Sequence, residues 1–165
     1  MPNLKASILI SIFAALSTAP VLAEANFAQL TLSSNPETAN PVVSGNTQGA
    51  YDLTVIAKKD IRGNDCLGWA TQQPDHIVVL EEDFSRLELK VNSRGKDTTL
   101  ILKGPGGKVL CGDDSGSNPD ASIIIKDSDD DTQDDSFLKA GKFEVWVGAS
   151  DPNQRWNYSL SGNAQ

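Results

Sequence analysis

The stretch FSRLELKVNSRGKDTTLILKGPGGKVLCGDD, residues 84–114, decides how the rest of the chain is read. Leu87, Leu89 and Val91 alternate with Arg86, Glu88, Lys90 and Asn92, the two-residue period of a strand with one buried and one wet face. Ser93 to Asp97 makes a turn. Thr98 to Lys103 is β-branched and aliphatic, and Gly104-Pro105-Gly106-Gly107 supplies a reversal before Lys108 to Cys111. Two strands, a tight turn and a third strand ending at a cysteine are therefore expected here.

Outward from this unit the same grammar repeats. Leu53 to Lys59 and His76 to Leu80 read as strands, the latter with an apolar run on both faces. Ser122 to Lys126 is a further short strand. Phe143, Val145 and Val147 share a face opposite Glu144 and Trp146, and Trp156, Tyr158 and Leu160 alternate with polar residues in a last strand. No stretch of the expected mature chain keeps helical apolar spacing for ten residues, and turn signals recur every 8 to 12. The expected fold is all-β, an antiparallel β-sandwich with jelly-roll-like connectivity and one disulfide.

The N-terminus has the pattern of a secretory signal: Lys5, an apolar run from Ala6 to Leu16, and small residues at Val21-Leu22-Ala23. The run is too short for a bilayer about 30 Å thick, so no membrane span is expected in the mature chain. The expected divisions are a signal peptide over 1–23, a flexible polar arm over 24–50 and a sandwich domain over 51–163. Within the arm, Ala28 to Leu32 is a candidate edge strand. A secreted or periplasmic location follows, where Cys66 and Cys111 would be oxidised to a disulfide.

With 14 basic and 22 acidic residues the net charge is -8. That balance, and the lack of clustered Lys and Arg in the sequence, argues against nucleic acid or an acidic membrane surface as partner.

Several segments are together similar to the bacterial pre-peptidase C-terminal domain family. They are Ser85 to Val91, Asp97 to Leu102, Gly104-Pro105-Gly106-Gly107, Asp113-Asp114, Leu138 to Gly148, and Tyr158-Ser159-Leu160. The resemblance covers roughly Pro74 to Leu160. It implies a jelly-roll sandwich that accompanies secreted proteins, often proteases, as a non-catalytic domain, with some relatives binding calcium or extracellular matrix. No peptidase domain accompanies it in this chain.

Chemistry has few places to sit. Gly112-Asp113-Asp114-Ser115-Gly116 has the look of a protease nucleophile loop, but nucleophilic serine needs a base and His76 is the single histidine, placed at a strand edge. One His and two oxidised Cys cannot build a zinc site. Calcium, which takes six to eight oxygens, is the metal expectation. The first candidate set is Asp113, Asp114, Asn118 and Asp120. The weaker one is Asp127, Asp129 and Asp131, within a run where six of nine residues are Asp. That run begins like an EF-hand but has Thr132 at the glycine position and Leu138 at the glutamate position. Trp146, pointing away from the core face, is a candidate contact for a protein or polysaccharide. Trp69 is expected to pack on the disulfide. The sequence thus points to a secreted, non-catalytic accessory or binding domain stabilised by calcium, with a small hydrolase using acidic residues as the alternative.

Overall fold

The computed structural model describes residues 24–36, 40–115, 117–127 and 135–165. Its strands, in chain order, are β1 (Leu30–Leu32), β2 (Val42–Asn46), β3 (Tyr51–Asp52), β4 (Trp69–Ala70), β5 (His76–Leu80), β6 (Arg86–Asn92), β7 (Thr98–Lys103), β8 (Val109–Gly112), β9 (Asp114–Ser115), β10 (Asn118–Lys126), β11 (Gly141–Ala149) and β12 (Asn157–Ala164). One sheet has seven strands and the other five. In the larger, β11 is the hub: it pairs with β5 through Gly141–Val145, with β4 at Ala149 and with β7 through Glu144–Ala149, while β8 extends β7. The smaller runs β2-β12-β6-β10-β9. The chain changes sheet at β1 to β2, β2 to β3, β5 to β6, β6 to β7, β8 to β9, β10 to β11 and β11 to β12, which gives the jelly-roll character the sequence leads one to expect.

Alternation explains the core. Leu87, Leu89 and Val91 of β6 meet Leu100 and Leu102 of β7 and Phe143, Val145 and Val147 of β11 between the sheets. β7, however, is buried on both sides. Ile101 faces outward from the sandwich and is covered by a second cluster containing Leu53, Cys66, Ala70, Val109 and Trp146. The segment 53–68, which joins β3 to β4, thus lies over the outside of the larger sheet. The Cys66–Cys111 disulfide, with Cα atoms 5.3 Å apart, fastens it there, because Cys111 is the β8 partner of Ile101.

Three expectations are corrected. Leu53 to Lys59 is not a strand: the Asp52 carboxylate accepts from the Thr54 N–H at 2.9 Å and starts a 3-10 turn over Leu53–Val55. Residues 24–50 are not simply an arm, since they supply both β1 and β2. Leu30 and Leu32 are buried in the main core, and β1 pairs in parallel with β5, an exception to the antiparallel pattern. Finally, His76 is not at an exposed strand edge. It opens β5 but is wholly buried, opposite Val145 of β11 and covered by Ala28 of the segment before β1.

Candidate functional site

One end of the sandwich gathers carboxylates. The turn between β6 and β7 carries Asp97, the link from β8 to β9 is Asp113, and Asp114 opens β9. The hairpin register that sets Leu100 against Gly112 brings the two segments together. Oxygens of Asp97, Asp113 and Asp114 all lie within 4.8 Å of one another, and all three residues are exposed. Among the described residues none of the three forms an ion pair. Asp113 is pushed up from the usual carboxylate range, first by the protein packed around it and then by the charges of Asp114 and Asp97. Hard oxygen donors carrying unneutralised charge suit Ca²⁺. Three carboxylates would need carbonyl and water oxygens to complete its shell.

The set differs from the one read from sequence. Asp113 and Asp114 stay in it, Asp97 joins, and Asn118 and Asp120 leave. Asp120 is buried and accepts hydrogen bonds from the Ser93 N–H at 2.8 Å, the Ser93 hydroxyl, and the Gly95 N–H at 3.4 Å. Burial opposes ionisation of Asp120, but these bonds, with help from Asn118, outweigh it and hold the carboxyl below its usual range. Asn118 in turn accepts from the Asp120 N–H at 3.2 Å. The Asp120 side chain is thus spent on shaping the turn from β6 to β7, and that of Asn118 turns back onto its own strand. Of the second acidic set, Asp127 is exposed and donates its N–H to the Ser85 carbonyl at 2.7 Å; Asp129 and Asp131 lie outside the described residues.

Trp146 is not a surface contact. It is 4% exposed, packs with Cys66 and Ile101 beneath residues 53–68, and directs its indole N–H at the Gln72 carbonyl 3.4 Å away. Trp146, rather than Trp69, is the tryptophan of the disulfide cluster.

The interior holds a polar group that sequence reading missed. Asp75, 2% exposed, accepts from the Val147 N–H at 2.9 Å and from the Asn26 amide at 3.4 Å. Burial pushes its carboxyl up to about 7 despite both bonds. Next to it, His76 Nδ1 lies 2.8 Å from the Ala28 carbonyl and Nε2 lies 3.0 Å from the Tyr158 hydroxyl. A carbonyl only accepts, so Nδ1 carries the proton and Nε2 accepts from Tyr158. Burial lowers the His76 pKa, partly offset by that carbonyl, and raises that of Tyr158, with the Asp75 charge adding to the latter. Gly45 is required here, because a Cβ on it would lie 2.5 Å from the Tyr158 oxygen and 3.0 Å from the Phe27 ring. These groups fasten residues 26–28 to the sandwich: the Asn26 and Phe27 N–H groups also donate to the Pro74 and Asp75 carbonyls. A signal was available in the adjacency of Asp75 and His76 ahead of an apolar run, but their partners lie on distant strands.

Among the described residues no helix is long and apolar enough to cross a membrane. No family model matches the chain, and no curated protein matches it. Its structure is similar to that of the pre-peptidase C-terminal domain of a collagenase from Bacillus anthracis, with 15% identity and a TM-score of 0.46 over 86% of this chain and 97% of that one.

Proposed function

We propose that the protein is a secreted, non-catalytic accessory domain in which a calcium ion held by Asp97, Asp113 and Asp114 stabilises one end of the sandwich. The observation that carries the calcium reading is the convergence of three exposed carboxylates from two segments to within 4.8 Å. A divalent cation there would relieve their mutual repulsion and tie the turn from β6 to β7 to the link from β8 to β9. Secretion is supported by the apolar N-terminal run and by the Cys66–Cys111 disulfide. An accessory role is supported by the fate of the two best candidate general bases. Asp75 and His76 are sealed in the interior and committed to the Val147 N–H, the Ala28 carbonyl and the Tyr158 hydroxyl.

Thermal unfolding in excess calcium, in excess magnesium and in chelator tests the metal. Calcium at about 1,000 times its dissociation constant adds about 4 kcal/mol. The expected result is a higher Tm in calcium than in chelator, a smaller rise in magnesium, and loss of the rise in Asp97→Asn and Asp113→Asn. Equal Tm values in calcium and chelator would overturn the proposal. So would a calcium effect that survives both substitutions but is lost in Asp127→Asn.

A further inference from the structure

The outer face of the five-stranded sheet differs in character from the rest of this acidic chain. Residues of β6 that point away from the core are Arg86, Glu88, Lys90 and Asn92, and Arg94 follows in the turn. The register sets Ser159 of β12 opposite Asn92, Ser161 opposite Lys90 and Asn163 opposite Glu88. Along this seam lie two shallow hollows. One, about 620 Å³, is bordered by Asn46, Asn92, Arg94, Asn157, Ser159 and Phe27. The other, about 510 Å³, is bordered by Arg86, Glu88, Lys90, Ser161 and Asn163. Ser159 and Ser161, next neighbours on one side of β12, link them into a continuous track.

The charge on the track is positive. Its single carboxylate, Glu88, is neutralised by Arg86 at 2.9 Å. Lys90 and Arg94 are exposed and form no ion pair among the described residues. On a strand, residues four apart stand about 13 Å from one another, so the cations are spaced, not massed. Between them stand side-chain amides and hydroxyls, groups that both donate to and accept from sugar hydroxyls.

We infer that this face binds an acidic polysaccharide, a chain of hydroxyl-bearing sugars with carboxylates at intervals, laid along β6 and β12. Carboxylates meet Lys90 and Arg94, and ring hydroxyls exchange hydrogen bonds with Asn92, Asn157, Ser159 and Ser161. Nucleic acid fits less well. Duplex DNA carries a phosphate charge every 1.7 Å or so, a density that two unpaired cations cannot match on a protein of net charge -8. Single strands call for a series of exposed stacking rings, where the track has Phe27 and the buried Tyr158, both at one end. An acidic peptide would want a free strand edge, and β6 and β12 are paired on both sides. The clustered cations that a densely charged polyanion needs are absent from the sequence. The sheet supplies a sparse row instead, matched to a sparsely charged chain.

The test is titration of the purified protein with polygalacturonate in calcium-free buffer, with dextran and single-stranded DNA as comparisons. The variants are Lys90→Ala/Arg94→Ala together and Lys58→Ala as a charge control away from the track. The expected result is binding to polygalacturonate over both comparisons, weakening as salt rises and about tenfold poorer in the double variant, with Lys58→Ala unchanged. Both variants are on exposed side chains, and equal Tm values confirm that they fold. No binding, equal or tighter binding to DNA or dextran, or an equal loss in Lys58→Ala would each overturn the inference.

Discussion

The Tyr158 hydroxyl donates to Nε2 of His76 across 3.0 Å, a buried bond that joins β12 of one sheet to β5 of the other. Removing that hydroxyl leaves a wholly buried acceptor without its donor. Tyr158→Phe is expected to lose about 1–3 kcal/mol in urea unfolding, more than a surface tyrosine would. Gly45→Ala should cost at least as much, because its methyl would displace the Tyr158 oxygen.

Asp75 and His76 give opposite pH dependence. The Asp75 carboxyl, raised from 3.8 to about 7, holds a proton in the folded state that the unfolded chain has released, so its contribution is lost as pH rises from about 4 to 7. His76, held below its usual pKa, resists the proton that the unfolded chain takes up below about 6.5, so its contribution is lost as pH falls. In the wild type the two partly cancel. Asp75→Asn removes the first, so wild type should gain on the variant as pH drops from 7 to 4, by about 4 kcal/mol at most. Denaturant midpoints across that range check the sign; a gap that widens toward neutral pH would contradict it.

The disulfide closes a sequence separation of 45 residues. Chain entropy puts its contribution at about 4 kcal/mol, and loss of the bond also frees the cover over Ile101 and Trp146. Reduction, or Cys66→Ser with Cys111→Ser, should lower the urea midpoint accordingly. Hydrogen exchange should then rise in residues 51–70 before it rises in β6.

Thr99 is wedged between two glycines. A Cβ on Gly148 would sit 2.5 Å from the Thr99 hydroxyl oxygen and one on Gly68 would sit 2.1 Å from it. That oxygen is buried with no hydrogen-bond partner among the described residues. Thr99→Val, which keeps the shape and drops the unpaired hydroxyl, is expected to be neutral or to stabilise by about 1 kcal/mol. Gly148→Ala should cost about 1–3 kcal/mol by overpacking. Calorimetry on the two variants should move Tm in opposite directions, or only in the second.

What could be read in the residues was whatever repeats locally. β6, β7 and β11 declare themselves by alternation, and Gly104 to Gly107 fixes the hairpin between β7 and β8. The place of Trp146 could not be read this way. Alternation says that it faces away from Phe143 and Val145, but its cover comes from residues 53–68, fastened by a bond to Cys111. His76 misled for a related reason: a lone polar residue ahead of an apolar run looks like an edge, and its partner Tyr158 is 82 positions away. β1 could be read as an edge strand within Ala28 to Leu32, but its parallel pairing with β5 could not, because no tight turn joins the two. Asp97 was reachable. Counting back along the hairpin from Lys103 opposite Val109 brings it close to the acidic residues that follow β8, whereas grouping carboxylates by loop missed it.

The position of β12 between β2 and β6 bears on how the molecule comes into being. Val42 is synthesised early, yet its ladder partner is Ser161. On the ribosome, β2 and β6 must wait with unsatisfied edges until residues 157–164 emerge, so this sheet forms only after translation of the domain is nearly complete. Long-range closure of this kind belongs to the slow, millisecond-to-second class of folding. A chain that cannot fold early also stays threadable while it is being made, and a truncation removing β12 should yield an aggregating product with two open edges in place of a smaller domain.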